Sequence, residues 1–189
     1  MYLKSGVVFL LIISFLTGSC QETSFNPDSM DMKDNRMNTP ELTWKDVLHY
    51  AKHGSPTPDR RVEKTESEWK AQLTADEFRI TRQKGTESAF TGAYCEAHDP
   101  GIYACKCCGT ELFDSREKFE SGTGWPSFTQ PIKNNVVKYD KDSSFGMVRV
   151  EILCNVCDAH LGHVFSDGPG PGGLRFCTNS ASIQRVGEQ

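Results

Sequence analysis

The chain has 189 residues, a formal net charge of −4 and 37% hydrophobic residues. This length suits one domain with appended segments, and sixteen glycines and nine prolines indicate many turns. The slightly acidic charge argues against a general nucleic-acid binder, which would carry a basic patch or stripe. The composition therefore predicts a turn-rich domain with an adequate core and no nucleic-acid partner.

The first 19 residues have the pattern of an export signal. Lys4 precedes an apolar run from Val7 to Leu16, and small residues then lead to Cys20. A charged start, a short apolar region and a small-residue cleavage site are typical of secretory signals, and the run is too short for an ordinary membrane span. Because the segment ends in Gly-Ser-Cys, it resembles a bacterial lipoprotein signal. We therefore expect the chain on the periplasmic side of a bacterial cell envelope, anchored by a lipid on Cys20; an uncleaved membrane anchor is the alternative.

Residues 20–40 are polar and lack hydrophobic periodicity, which predicts a flexible linker. The apolar residues of segment 41–61 predict a short helical lead-in that ends near Gly54. Two capping boxes, each a threonine followed three residues later by a glutamate, begin at Thr65 and Thr74. They predict short helices over 66–72 and 75–83, with Gly85 as the stop.

After Gly85, short β-like runs alternate with turn residues, and no helix-length segment separates them. This pattern favours antiparallel sheets over βαβ units and predicts a mainly β domain. The clearest alternation sets Val148, Val150 and Ile152 on one face and Arg149 and Glu151 on the other. The candidate strands are 102–105, 111–113, 136–139, 145–153, 163–165 and 174–178.

Two C-x-x-C pairs carry the strongest metal signal in the chain: Cys105 with Cys108, and Cys154 with Cys157. Each pair can turn two sulfurs towards one point, and two such pairs make a tetrahedral zinc site. Four protein ligands leave no open position, so the zinc would be structural, and a zinc hydrolase or deaminase is disfavoured. The alternative is two disulfides, which an exported chain permits.

Cys177 has no cysteine neighbour at metal-ligand spacing. Arg175 and Asn179 would share its face in an extended strand, because the side-chain period is two. A thiol beside a guanidinium can have a lowered pKa and act as a nucleophile, whereas a buried, inert cysteine is the alternative. His160 and His163 are candidates for handling protons, since a site made of them and the second cysteine pair would leave the first pair without a metal.

Several stretches together resemble the B-type methionine sulfoxide reductase family, and the likeness covers roughly residues 62–185. The resemblance implies reduction of the R epimer of methionine sulfoxide, mostly in proteins. It also implies a β-tent-like fold of two antiparallel sheets with short N-terminal helices and, in zinc-containing members, a structural zinc held by four cysteines. The stretches are GTESAFTGAY at 85–94, CKCCGTELF at 105–113, KFESGTGWPSF at 118–128, CDAHLGHVFSDGP at 157–169 and LRFCTNSASI at 174–183.

The same resemblance implies roles for single residues. Cys177 matches the family nucleophile, and Arg175 and Asn179 match its flanking site residues. His163, with His160, matches the pair that handles the sulfoxide oxygen and its protons. The expected product on the enzyme is a cysteine sulfenic acid, which a second thiol converts to a disulfide that an external dithiol protein reduces.

Three further residues match the substrate pocket, and one position departs from the pattern. Trp125 matches the indole that shelters the substrate methyl group, with Phe165 near it, and Asp167 matches a further polar site residue. Many members carry the resolving cysteine where this chain has Thr123. The resemblance therefore favours Cys95 as the resolving thiol.

Several alternatives stay open on the sequence alone. Cys107, or direct reduction of the sulfenic acid by an external thiol, could replace Cys95 in the second step. We expect a monomer that is recycled by a thioredoxin-like partner of the cell envelope. A non-catalytic zinc-binding interaction module is the competing interpretation; such a module would lose no thiols on exposure to methionine sulfoxide.

Overall fold

The computed structural model describes residues 41–146 and 148–187, and only the backbone of Phe145. The predicted export signal and linker, residues 1–40, lie outside the described residues, so those two predictions stay predictions. None of the described helices is both long enough and apolar enough to cross a membrane.

In the described residues, three short α-helices precede the sheets, and each begins with a capping box. The boxes at Thr65 and Thr74 were predicted, and a third, unforeseen box joins Thr43 to Asp46. The last helix ends one residue earlier than predicted, and Lys84 beyond it has a left-handed φ of 56°. The helices are α1 (Trp44–His53), α2 (Glu66–Gln72) and α3 (Ala75–Arg82).

The described strands form two antiparallel sheets, so the predicted fold class is confirmed. In chain order the strands are β1 (Ile102–Cys105), β2 (Glu111–Asp114), β3 (Lys118–Phe119), β4 (Ser127–Phe128), β5 (Val137–Asp142), β6 (Arg149–Cys154), β7 (His160–Phe165), β8 (Arg175–Thr178) and β9 (Ile183–Val186). The smaller sheet has the order β2-β1-β9, and the larger has the order β3-β4-β8-β7-β6-β5.

Two details of the predicted strands are wrong. The strand expected over 145–153 begins only at Arg149, and Val148 is 77% exposed instead of lying on a buried face. Glu151, on the polar face, is buried. That face is covered, because Lys84 from the end of the helical region reaches over it to the Glu151 carboxylate. Three short strands, β3, β4 and β9, were not predicted.

The core between the two sheets is aromatic. Phe113 on β2 stacks on Phe128 of β4 with ring centroids 4.5 Å apart, and Tyr103 on β1 meets the same ring edge-on. Phe176 on β8 is fully buried and also contacts Phe113. Because side chains alternate along a strand, Cys177 points away from this core, to the other face of the larger sheet.

Candidate active site

Strand register places four polar side chains in one row across the larger sheet, in the order Ser127, Cys177, His163 and Glu151. Cys177 pairs with Ser127 on one side and with His163 on the other, and His163 pairs with Glu151. Directly opposite residues in an antiparallel sheet share a face with Cβ atoms about 5 Å apart. The sheet therefore brings together the predicted thiol and one of the two predicted histidines.

A β-bulge brings the second histidine to the same face. Ile152 pairs with Gly162 but Leu153 pairs with His160, so Leu161 is an extra residue on β7. In a regular strand, residues three apart point to opposite faces, whereas a bulge re-aims the side chain that follows it. The rings of His160 and His163 consequently lie 5.7 Å apart.

Gly162, between the histidines, allows β7 to approach the strand of Cys177. A Cβ atom at this position would lie 2.1 Å from the Cys177 carbonyl oxygen, which is too close for any residue other than glycine. We conclude that glycine at 162 is required for the close pairing of β7 and β8.

A cavity of about 120 Å³ opens on this face of the sheet. It holds about four water-sized volumes, which suits a small group such as a methylsulfinyl head group. Of the predicted site residues, five line it and four others (His160, Arg175, Asp167 and Cys95) do not. The lining residues are Thr86, Trp125, Arg149, Gly162, His163, Phe165, Cys177, Thr178 and Asn179.

His163 is oriented by a carboxylate that the sequence did not single out. Its Nε2 lies 2.8 Å from Oδ2 of Asp142, which also accepts a hydrogen bond from Arg149 at 2.7 Å. Hydrogen bonds from Ser144, His163 and Arg149 hold the pKa of Asp142 well below its ordinary value, so the carboxylate is ionised and Nε2 carries the proton. Burial lowers the pKa of His163 itself, although Asp142 acts in the opposite direction.

His160 belongs to a buried network behind the cavity. Its Nδ1 lies 2.8 Å from Glu151 Oε1, and Lys84 donates to the other oxygen of that carboxylate at 2.7 Å. Burial alone would raise the pKa of Glu151, but the bonds from His160 and Lys84 lower it overall. His160 therefore contacts the ring of His163 and an ionised Glu151, and does not line the cavity.

The pKa of Cys177 differs from the sequence expectation. Burial raises it above the ordinary value, although the charge of Arg175 and the hydroxyls of Thr123 and Ser127 act in the opposite direction. The guanidinium was expected to lower this pKa. It cannot do so on balance, because its charge is shared with Asp167 and the thiol is largely removed from water.

Arg175 and Asp167 form a pair beside the cavity. Nε and Nη2 of Arg175 donate to the two carboxylate oxygens of Asp167 at 2.8 and 2.9 Å. The guanidinium lies over the ring of Phe165, 4.4 Å from its centroid. The Arg175–Asp167 pair therefore holds the Phe165 ring that lines the cavity. Asp167 does not line the cavity itself and acts on it only through Arg175.

Glu87 is the organising residue that sequence reasoning missed. Its carbonyl accepts the indole N–H of Trp125 at 3.2 Å, and its N–H donates to Oδ1 of Asn179 at 3.0 Å. Its carboxylate accepts the N–H groups of Ser180 and Ala181. Glu87 lies within the stretch 85–94 that carried the family resemblance, which is the signal that could have identified it.

The expected resolving thiol lies outside the cavity lining. The Cys95 carbonyl accepts a hydrogen bond from Lys118 of β3 at 3.0 Å, and the N–H of Tyr94 donates to Ser180, three residues after Cys177. Burial raises the pKa of Cys95, and nearby Glu120 adds to this. Two hydrogen bonds thus tie the Cys95 loop to the strands around Cys177.

The four cysteines of the C-x-x-C pairs converge at a separate place. Their sulfurs all lie within 4.8 Å of one another. The Cys105–Cys157 and Cys108–Cys154 sulfur distances are 3.7 and 3.6 Å. Four sulfurs about 2.3 Å from a common zinc ion would be about 3.8 Å apart, whereas a disulfide is about 2.0 Å. The described cysteines are all free thiols, so the geometry fits a structural zinc site and not the alternative of two disulfides.

Both cysteine pairs have the same backbone turn. The N–H of Gly109 donates to the Cys105 carbonyl at 2.8 Å, and the N–H of Asp158 donates to the Cys154 carbonyl at 2.9 Å. Gly109 and Asp158 both have left-handed φ values, 72° and 56°. Since Cys105 ends β1 and Cys154 ends β6, a metal bound here would join the two sheets.

The fold and the two groups of cysteines define a class: a two-sheet domain with a four-thiolate cluster and a separate cavity that contains a free thiol. The model of the SelR domain family matches residues 73–186, so the chain belongs to this family, and the predicted membership of the B-type methionine sulfoxide reductases is confirmed. Proteins named peptide methionine sulfoxide reductase MsrB are similar over most of their length. The one from Acinetobacter baylyi is 59% identical over 124 residues, 66% of this chain and 89% of the relative. One from Saccharophagus degradans is 57% identical over 123 residues, 65% and 92%.

Proposed function

We propose that the chain reduces the R epimer of methionine sulfoxide, mainly in proteins, to methionine. The observation that carries this proposal is the register of Cys177 against His163 at a cavity walled by Trp125 and Phe165. A sulfoxide needs a sulfur nucleophile, a proton for its oxygen and an apolar wall for its methyl group. Membership of the SelR family supports the same reaction.

In the proposed reaction, the Cys177 sulfur attacks the electrophilic sulfur of the substrate. The thiol proton passes to Nδ1 of His163, the nitrogen that does not face Asp142, and from there to the sulfoxide oxygen. The sulfur–sulfur bond formed in this attack and the sulfur–oxygen bond of the substrate both break as the oxygen becomes bound to Cys177. Methionine leaves and Cys177 is oxidised to the sulfenic acid, so that one thiol and one sulfoxide give one sulfenic acid and one thioether.

The other residues of the site have positioning roles in this proposal. Asp142 fixes the tautomer of His163. The ionised Glu151 holds His160 so that its ring lies against the ring of His163. Asn179 accepts a hydrogen bond from the Glu87 N–H and so positions the Glu87 carbonyl, which accepts the indole N–H of Trp125. The four-thiolate cluster holds a structural zinc ion that ties the sheets together and takes no part in the reaction.

The direct test is turnover of the two epimers measured separately. With a small dithiol as reductant, the R epimer of N-acetylmethionine sulfoxide is expected to yield N-acetylmethionine. The S epimer is expected to react at least about a hundredfold more slowly, because its oxygen would point away from His163 when its methyl group contacts Trp125. Equal rates for the two epimers would contradict the stereochemical assignment.

The pH dependence of the first turnover follows from two groups that must be neutral, the imidazole of His163 and the thiol of Cys177. His163 must be unprotonated to accept the thiol proton, and its lowered pKa puts the acid limb of kcat/KM below 6.5. Cys177 must hold its proton, and its raised pKa puts the alkaline limb above 9.0. A stopped-flow profile should be flat between these limits. Asp142→Asn should shift the acid limb to still lower pH, because Asp142 raises the pKa of His163. A single rise with a midpoint near 7 would instead indicate a preformed thiolate.

For the second step we propose that Cys95 condenses with the Cys177 sulfenic acid, releasing water and forming a disulfide. A thioredoxin-like protein of the envelope then reduces it by exchange. Cys95→Ser should retain methionine formation in the first turnover, within about threefold, but lose the intramolecular disulfide and turnover with a dithiol protein. Cys107→Ser is the matched control and should keep both the intramolecular disulfide and turnover with a dithiol protein. A disulfide that still forms in Cys95→Ser, seen by peptide mapping, would transfer the role to another thiol.

We also propose that the chain is an exported monomer, lipid-anchored through Cys20 and facing the periplasm. The sequence of residues 1–20 supports the export and the anchor. Cys20→Ala should abolish incorporation of labelled palmitate. Incorporation that persists in the variant, or a parent protein that incorporates none, would refute the lipid anchor on Cys20.

A further inference from the structure

Phe90 is an aromatic residue that is both solvent-exposed and in a strained backbone conformation. It is 68% exposed, and among the described residues only Leu48 and Val148 are comparable exposed large hydrophobics. Its φ is 64°, in the left-handed region that bulky side chains rarely adopt. Backbone strain opposes folding, and residues in such conformations cluster at active sites and ligand-binding surfaces.

The position of Phe90 connects it to the cavity. Its N–H donates to the Gly124 carbonyl at 2.8 Å, directly before Trp125. A Cβ atom on Gly124 would lie 2.9 Å from Phe90 Cδ2, so the ring packs against this glycine. At the other end of the same loop, Thr86 lines the cavity. The loop of residues 86–90, here called the rim loop, therefore continues the Trp125 wall outward.

The rim loop is held rigidly. Glu87 bonds to Trp125 and Asn179 through its backbone, and its carboxylate accepts two N–H groups from Ser180 and Ala181. The Phe90 ring is thus presented on a hydrogen-bonded support next to the Trp125 wall. A surface that is ordered before binding loses less entropy when a ligand arrives.

We propose that Phe90 binds an apolar side chain next to the oxidised methionine in an extended polypeptide substrate. This inference rests on the proposed function, because it places the sulfoxide against Trp125. An extended chain advances about 3.3–3.6 Å per residue, so a residue one or two positions from the methionine passes over the rim loop. Continuity with the Trp125 wall favours the substrate over the reductant protein as the occupant.

The test compares Phe90→Ala with Phe90→Leu, which keeps an apolar surface, and with Leu48→Ala, which removes an exposed apolar side chain from α1. Each variant is assayed in single turnover with a methionine-R-sulfoxide peptide flanked by leucines, one flanked by serines, and N-acetylmethionine-R-sulfoxide. Phe90→Ala should lower kcat/KM for the leucine-flanked peptide about tenfold, the size of a modest apolar contact. The other two substrates should change less than about twofold, and the two control variants should match the parent.

Three outcomes overturn the inference. Equal losses on all three substrates would mean that Phe90 only supports Trp125. An unchanged first turnover combined with slower reduction of the disulfide by a dithiol protein would assign the surface to the reductant. A parent protein that turns over none of the three substrates would refute the proposed function, and the inference with it.

Discussion

Cys177→Ser is expected to reduce methionine sulfoxide at least about a thousandfold more slowly than the parent, equivalent to about 4 kcal/mol in the barrier. The reason is chemical, since a serine hydroxyl cannot take up the sulfoxide oxygen as a thiol does when it becomes a sulfenic acid. Cys177 is on the site face of β8, opposite the core residue Phe176, so its replacement should leave the core intact. Methionine formation in single turnover is the measurement.

Cys95→Ser and Cys107→Ser are the matched controls for this loss. Each removes one sulfur atom from the same domain, yet neither residue lines the cavity. Both should form about one equivalent of methionine per chain without reductant. Substantial turnover by Cys177→Ser, with an unchanged melting temperature, would mean that another thiol is the nucleophile.

Loss of one ligand of the four-thiolate cluster is expected to have the largest effect on stability. Cys108→Ser should lower the zinc content from one ion per chain to near zero and destabilise the domain by at least about 4 kcal/mol, roughly 10 °C in melting temperature. The cluster joins the end of β1 to the end of β6, so without metal the two sheets lose this link and the three remaining thiols repel one another on ionisation. Metal analysis and thermal unfolding measure both effects.

Cys107→Ser provides a close control for the metal prediction. Cys107 is buried in the same turn as Cys105 and Cys108 but is not one of the four converging sulfurs. This variant should keep its zinc and lose only about 1 kcal/mol, the effect of placing a hydroxyl in a buried thiol position. A parent protein that contains no zinc and two disulfides would contradict the assignment.

The cysteine pairs and the face of Cys177 were predictable because they depend on local spacing. A two-residue gap between thiols allows a shared metal, and the strand period of two puts Arg175 on the same side as Cys177. The capping boxes at Thr65 and Thr74 are equally local, and they begin helices at the expected residues.

Other features depend on contacts that spacing does not encode. The three-residue interval from His160 to His163 would separate them in a regular strand, and only the bulge at Leu161 reunites them. Asp142 comes from β5, which is separated from the strand of His163 by β6, and it orients His163. The raised pKa of Cys177 results from burial, which the presence of Arg175 in the sequence does not reveal.

The short strands were missed for the same reason. β3 and β4 have two residues each, too few for any hydrophobic pattern. β4 exists because Ser127 pairs with Cys177 in the larger sheet, and β3 exists because it pairs with β4. Glu87 likewise gains its importance from partners about 90 positions later in the chain, at Asn179, Ser180 and Ala181.

The most direct test of the central claim is a single turnover in which the oxygen is followed. The reduced protein is mixed with one equivalent of N-acetylmethionine-R-sulfoxide labelled with heavy oxygen, in the presence of a sulfenic-acid trap and without reductant. For the parent protein we predict one equivalent of N-acetylmethionine and a Cys177 modified by the trap. For the Cys95→Ser variant without the trap, we predict that the heavy oxygen is found on Cys177. N-acetylmethionine formed while Cys177 remains an unmodified thiol, or no N-acetylmethionine at all, would contradict the proposed mechanism.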